Sequence, residues 1–132
     1  MLINARKTAN VFLTGISFIS GSLWHRPIIS GMPVSVTAEL TNHCNLGCPE
    51  CFTGSGMMKR EKGYMDAGLF TRIIDELGPY LLNVSLYFQG EPMMHPGFFE
   101  FLGKSRNIYS VVSTNGHFLT PGNSRELALS SL

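Results

Sequence analysis

The sequence predicts an α/β fold: an N-terminal helix followed by three β-strand–α-helix units with a parallel, barrel-like sheet. Three stretches between residues 34 and 114 have strand character, and a helical pattern follows each of them. Strands that alternate with helices pair in parallel through right-handed crossovers. The first two strands also have one polar face, whereas a sheet covered by helices on both sides is apolar on both. A polar face is typical of a barrel that lines a wet cavity, with its chemistry at the carboxyl ends of the strands.

Length, composition and net charge exclude several classes of function. The chain has 132 residues, which suits one domain, and 44% are hydrophobic, which supports a core and excludes disorder. Ten basic residues against nine acidic ones leave a net charge of +1. This balance gives no electrostatic case for a nucleic-acid partner, an acidic substrate or a polybasic membrane anchor.

Residues 1–33 are expected to form a helix and a linker that precede the main domain, residues 34–132. An apolar stripe at helical spacing is formed by Phe12, Ile16, Ile19 and Leu23. It predicts a docking helix; the alternative is a stripe that simply packs on the body of the protein. The uncharged run 11–23 also resembles a signal peptide, but it is too short to span a bilayer, which needs about 20 residues. The helix is favoured because export would place the cysteines in an oxidising compartment.

The first unit begins with a strand over residues 34–40, whose residues Val34, Val36, Ala38 and Leu40 are expected to face helices. A long loop follows, and Asp66 then caps a helix that ends at Gly78-Pro79. In the second unit, the strand over residues 83–88 should turn Val84, Leu86 and Phe88 toward the helices. Pro96 opens its short helix and Gly103 ends it. The third strand covers residues 109–114, and Thr120-Pro121 opens a helix that runs toward Leu132.

The cysteines are the strongest chemical signal. Cys44, Cys48 and Cys51 have the spacing C-x3-C-x2-C in the loop after the first strand, and the sequence has no other cysteine. A disulfide scaffold needs an even number of cysteines spread along the chain. Three clustered thiols instead predict a metal or cluster site in a reducing compartment, so we expect a cytoplasmic protein.

The identity of the metal stays open at this point. Structural zinc takes four protein ligands, and electron-transfer clusters commonly take four cysteines. A [4Fe–4S] cluster held by three cysteines leaves one iron open, which indicates chemistry. The alternative is a non-catalytic zinc module in which His43, His95 or His117 supplies the fourth ligand.

Two further loops follow the second and third strands. Gln89-Gly90-Glu91-Pro92 resembles a Gly-Gly-Glu-Pro motif, and Ser113-Thr114-Asn115-Gly116 resembles a Thr-Asn-Gly turn. With the cysteine spacing, residues 34–132 resemble the N-terminal part of the core domain of the radical S-adenosylmethionine (SAM) superfamily. The stretch around Cys44 is similar to members of the SPASM/twitch subgroup, which modify peptides and proteins. The resemblance implies about half of a partial (β/α)6 barrel, and we therefore expect the sequence to be a fragment.

The resemblance also implies roles for individual residues. Cys44, Cys48 and Cys51 would hold [4Fe–4S], and Gly90 and Glu91 would contact the amino group of SAM. Further cofactor-binding residues would be Glu50, Gln89, Thr114 and Asn115; Glu50 stands where relatives often carry an aromatic residue.

The reaction of the family implies an external electron donor and radical cleavage of SAM. The radical would abstract a hydrogen atom from an unknown substrate, and a peptide or protein is one option for that substrate. A cluster-binding remnant without turnover is a further alternative, so enzyme activity itself stays open. No nucleic acid or membrane span is expected.

Overall fold

The computed structural model describes residues 4–130, and it confirms the predicted element order. Helix α1 (Ala5–Trp24) precedes strand β1 (Ser35–Thr37), helix α2 (Ala67–Leu77) and strand β2 (Asn83–Ser85). Helix α3 (Phe98–Lys104), strand β3 (Tyr109–Val111) and helix α4 (Pro121–Ala128) complete the chain, with a short 3-10 turn over Pro92–Met94 before α3. The sheet is parallel in the order β1-β2-β3.

Each strand is shorter than the sequence pattern indicates, with three residues in place of six or seven. Single hydrogen bonds continue beyond the ladder, from the Ala38 N–H to the Ser85 carbonyl and from the Leu86 N–H to the Val111 carbonyl, both at 2.8 Å. Beyond these bonds the chains leave the sheet as loops. The alternating pattern therefore extends past the regular ladder into the segments that build the site.

The apolar face of the sheet packs against α2 and α3, as predicted. Ala38, Leu40, Val84 and Leu86 belong to one buried cluster, whose other members are Phe70, Leu81, Phe98, Phe101, Leu102 and Ile108. The expectation for Phe88 was wrong: its side chain is 69% exposed. The chain bends over residues 88–90, so the alternation of faces ends before Phe88.

The helix boundaries follow the predicted caps with three differences. The Asp66 side chain accepts a hydrogen bond from the Leu69 N–H at 2.8 Å, and that of Thr120 accepts one from the Asn123 N–H at 3.2 Å. Helix α3 begins at Phe98, with Gly97 as its N-cap, and not at Pro96; Gly103 does not end it but lies within its last turn. Helix α4 ends at Ala128, and the predicted continuation to Leu132 lies partly outside the described residues.

Helix α1 is present, but it packs through the face opposite to the apolar stripe. Lys7 and Asn10 are its buried residues, whereas Phe12, Ile16, Ile19 and Leu23 are 40–69% exposed. The Lys7 Nζ donates to the Asn107 carbonyl at 3.1 Å, and burial lowers the pKa of this amine. The alternative in which the stripe packs on the body is therefore wrong for the described residues. None of the helices described over residues 4–130 combines the length and the apolar character that a bilayer crossing requires.

Candidate active site

The base of the cysteine loop is fixed by backbone and side-chain hydrogen bonds. Thr41 and Tyr64 form an antiparallel bridge, and the Thr41 hydroxyl donates to the Gly63 carbonyl at 2.7 Å. The buried Asn42 side chain donates to the Glu61 carbonyl at 2.8 Å and accepts from the Gly63 N–H at 2.7 Å. Since both ends of the loop are held together directly after the first strand, the cysteines are confined to the carboxyl end of the sheet.

The three cysteines lie in a tight turn and none of them forms a disulfide. The Cys51 N–H donates to the Cys48 carbonyl at 3.2 Å. A Cβ atom on Gly54 would lie 2.6 Å from the Cys48 nitrogen and 2.7 Å from its carbonyl oxygen, so this fold of the loop requires glycine. The backbone N–H groups of Gly54 and then Thr53 donate to the Cys51 sulfur and lower its pKa. They favour the thiolate, which is the form that binds metals.

The Gln89–Pro92 segment packs directly against the backbone that leads into Cys44. Gly90 has a φ of 73°, and a Cβ atom there would lie 2.5 Å from the Thr41 carbonyl oxygen and 2.6 Å from that of His43. The Glu91 N–H donates to the same His43 carbonyl at 2.8 Å. Only glycine allows both this backbone conformation and this close approach.

Gln89, the residue that replaces the first glycine of the family motif, connects this segment to the cysteine loop. Its Oε1 accepts a hydrogen bond from the Thr53 hydroxyl at 2.7 Å, and its N–H donates to Glu39 Oε2 at 3.2 Å. Glu39 also forms an ion pair with Arg60, 2.5 Å from Oε1 to the guanidinium. The sequence pattern did not identify Glu39 or Thr53 as site residues. For Glu39, the available signal was its position near the end of the first strand, on the polar face of that strand.

Glu91 joins the loops after the second and third strands. Its carboxylate is buried and accepts hydrogen bonds from the Met93 N–H at 3.1 Å, the Thr114 hydroxyl at 2.7 Å and the Asn115 N–H at 2.7 Å. A carboxylate offers about four acceptor positions. Residues 4–130 therefore use three of them and leave one on Oε2, the oxygen that faces Asn115.

Asn115 completes the connection back to the cysteines. Its Nδ2 donates to Asn45 Oδ1 at 2.9 Å and approaches Cys44 Sγ at 3.9 Å. Glu50 is exposed next to Cys51, and its side chain forms no hydrogen bond or ion pair within residues 4–130. The predicted cofactor residues that contact the cysteine loop or the backbone leading into it are Gln89, Gly90, Glu91 and Asn115. Thr114 is joined to them through Glu91, and Glu50 lies on the cysteine loop.

The histidines of the zinc alternative serve structural roles. His95 is buried, with Nε2 3.1 Å from the Met65 carbonyl and Nδ1 accepting from the Gly97 N–H at 2.9 Å, so both ring nitrogens are engaged. The ring of His43 stacks on Tyr64 at 4.6 Å, and His117 packs edge-on against Phe118. Across the described part of the chain, no three His, Cys, Asp or Glu side chains converge closely enough to hold one metal ion.

The donor set fits an iron–sulfur cluster. Cysteine thiolates are soft donors, and iron–sulfur clusters are held by cysteine thiolates. The donors present are soft thiols on one glycine-dependent turn, with backbone N–H groups directed at the Cys51 sulfur.

The chain is similar to several characterised proteins. It is 37% identical over 94 residues to the tungsten-containing aldehyde ferredoxin oxidoreductase cofactor-modifying protein of Pyrococcus furiosus, which covers 68% of this chain and 26% of the relative. It is 34% identical over 92 residues to the PqqA peptide cyclase of Gluconobacter oxydans, 66% of this chain and 25% of the relative. No protein-family model matches.

The structural comparison agrees. The crystal structure of BtrN in complex with AdoMet and 2-DOIA superimposes with a TM-score of 0.66 and 25% identity, over 74% of this chain and 42% of that chain. The chain belongs to the radical SAM superfamily. The three loops described above all lie at the carboxyl ends of the strands. The chain spans about a quarter of the length of the curated relatives that it matches.

Proposed function

We propose that this chain binds a [4Fe–4S] cluster through Cys44, Cys48 and Cys51 and binds SAM at the iron that the cysteines leave open. The observation that carries the proposal is the contact of the second and third strand-end loops with the cysteine loop. Gly90 packs on the backbone before Cys44, and Asn115 reaches the Cys44 sulfur. These contacts bring the three superfamily motifs together around one turn.

The residues of the chain would hold and orient both cofactors. The three thiolates bind three irons, and the remaining acceptor position of Glu91 Oε2, together with the Gly90 carbonyl, would accept hydrogen bonds from the amino group of SAM. Gln89, Thr114 and Asn115 would keep these groups in place, and the backbone at Glu50 would lie near the adenine. When bound, the cofactors would supply radical chemistry: with one electron from an external donor, SAM would be cleaved to methionine and a 5′-deoxyadenosyl radical, which would take a hydrogen atom from the substrate.

For the substrate we propose a peptide or a protein. The support is the similarity to a protein named as a peptide cyclase, over about two thirds of this chain. We also propose that the protein acts in the cytoplasm, because three reduced thiols are required for the cluster and a reducing compartment maintains them.

The test is anaerobic reconstitution of the purified chain with iron and sulfide. We expect about four irons and about four sulfides per chain, and loss of both in the separate variants Cys44→Ala, Cys48→Ala and Cys51→Ala. The matched controls are His43→Gln and His117→Gln, which remove the accessible histidines of the zinc alternative and should keep the iron content. One bound zinc ion that disappears in a histidine variant, with no iron retained by the parent chain, would contradict the proposal.

A further inference from the structure

Helix α1 has its polar side inside and its apolar side outside. The packed face is built from Lys7, Asn10, Thr14 and Ser17, which recur at intervals of three and four residues. The Asn10 side chain donates to the Met32 carbonyl at 3.0 Å and accepts from the Met32 N–H at 2.8 Å, and the Ser30 N–H donates to Ser17 Oγ at 2.8 Å. Hydrogen bonds therefore attach the helix to the linker.

The opposite face is a continuous apolar stripe. Its residues are Phe12 at 69% exposure, Ile16 at 40%, Ile19 at 59% and Leu23 at 69%. Phe18 and Trp24 elsewhere on the helix and Ile29 in the linker are also more than half exposed. Apolar patches of this extent are rare on free surfaces and mark sites of interaction.

Charge is distributed unevenly around this surface. Residues 1–38 contain Arg6, Lys7 and Arg26 and no acidic residue, so the segment has a net charge of +3. Residues 39–132 contain seven basic and nine acidic residues, a net charge of −2. Lys7 is buried, whereas Arg6 and Arg26 are exposed near the two ends of α1, with the Arg6 guanidinium 5.9 Å from the centroid of the Tyr80 ring. The net charge of +1 for the whole sequence therefore combines a positive N-terminal segment with a negative remainder. Within α1, no charged residue follows Lys7.

We propose that the outer face of α1 docks on the surface of an anionic lipid bilayer. The stripe would enter the boundary between headgroups and acyl chains, Trp24 would lie at headgroup level, and Arg6 and Arg26 would contact lipid phosphates. A helix that docks in the plane of the bilayer does not have to cross it, and α1 does not combine the length and apolar character that a crossing requires. A second copy that packs through its own α1 is a poorer occupant, because its N-terminal segment has the same positive charge.

Trp24 allows a direct test, since it is the single tryptophan of the sequence. The 132-residue chain is titrated with vesicles of phosphatidylcholine alone and of phosphatidylcholine with 25% phosphatidylglycerol. We expect a blue shift of the Trp24 emission and quenching by brominated lipid with the anionic vesicles. Binding should weaken at least tenfold in Phe12→Gln and about fivefold in Arg26→Gln.

The control is Leu129→Gln, which removes an apolar side chain that is 79% exposed on the body of the protein. It should bind anionic vesicles as the parent chain does, with all variants matched by circular dichroism. The proposal is overturned if neither vesicle shifts the emission, if both vesicles bind equally, or if Leu129→Gln weakens binding as much as Phe12→Gln. Sedimentation that shows a dimer, dissociated by Phe12→Gln and indifferent to lipid, would assign the stripe to self-association and also overturn it.

Discussion

At the scale of single residues, the site depends on positions where only one side chain is compatible with the geometry. Gly90 combines a positive φ with an approach to two backbone carbonyl oxygens that no Cβ atom could share. Glu91 holds three donors from two loops on one buried carboxylate. Both residues were predicted as cofactor contacts. The structure shows that each also holds the site together.

Gly90→Ala should destabilise the chain by about 2–5 kcal/mol, because it adds a strained backbone conformation to a clash with the carbonyls of Thr41 and His43. Urea unfolding followed by circular dichroism measures this cost. Gly103→Ala is the matched control: its added Cβ meets nothing within 4 Å, and alanine is favoured within a helix. Equal stability of the two variants would show that the approach of the two loops is not required.

Glu91→Gln should cost about 1–3 kcal/mol in free energy of unfolding, because an amide NH2 would replace one of the two accepting oxygens of a buried carboxylate. Thr114→Val removes only one of the three donors and should cost less, about 1 kcal/mol. The same unfolding assay compares them. A Glu91→Gln variant as stable as the parent chain would mean that the carboxylate does not join the loops.

The sequence could indicate these motif residues but not their partners. Glu91 and Asn115 stand out locally because each follows a strand. Thr53 lies 36 residues from Gln89, and Glu39 lies 50 residues from it. Such pairs form only when the loops have met, and no periodicity within either segment encodes the contact.

At the scale of elements, the cysteine loop is held by its neighbours more than by its own secondary structure. Its base is closed by Thr41, Asn42 and Tyr64, and its far side is tied to Gln89 through Thr53. Helix order followed from local apolar spacing and caps, so it was predictable. The sequence did not predict which face of α1 packs against the protein. The polar residues of that face bind partners in the linker and in the loop before β3, which are distant in sequence.

Thr53→Val should speed the loss of iron from the reconstituted chain to a chelator about fivefold, since one hydrogen bond of about 1 kcal/mol is lost at the cysteine loop. Valine keeps the shape of threonine and removes only the hydroxyl. Thr53→Ser restores the hydroxyl and should return the rate to that of the parent chain. If valine and serine variants release iron at the same rate, the Thr53–Gln89 bond does not support the loop.

At the scale of the whole molecule, the described chain has one covered and one open face. Helices α2 and α3 cover the apolar side of the sheet, while Ser35 and Thr37 on the polar side are exposed. The polar face was predicted from alternation in the strands, and it leads to the end of the sheet where the three motifs meet. This arrangement is the reason to place the chemistry of the radical SAM superfamily at that end.

The most direct test of the central claim is electron paramagnetic resonance of the anaerobically reconstituted and reduced chain, recorded with and without SAM. We expect the signal of a [4Fe–4S]+ cluster, and a change in that signal when SAM binds the open iron. Cys48→Ala, on the exposed part of the turn, should give neither the signal nor the response. A chain that holds no iron, or a cluster signal that SAM leaves unchanged, would contradict the assignment of this turn as a SAM-binding cluster site.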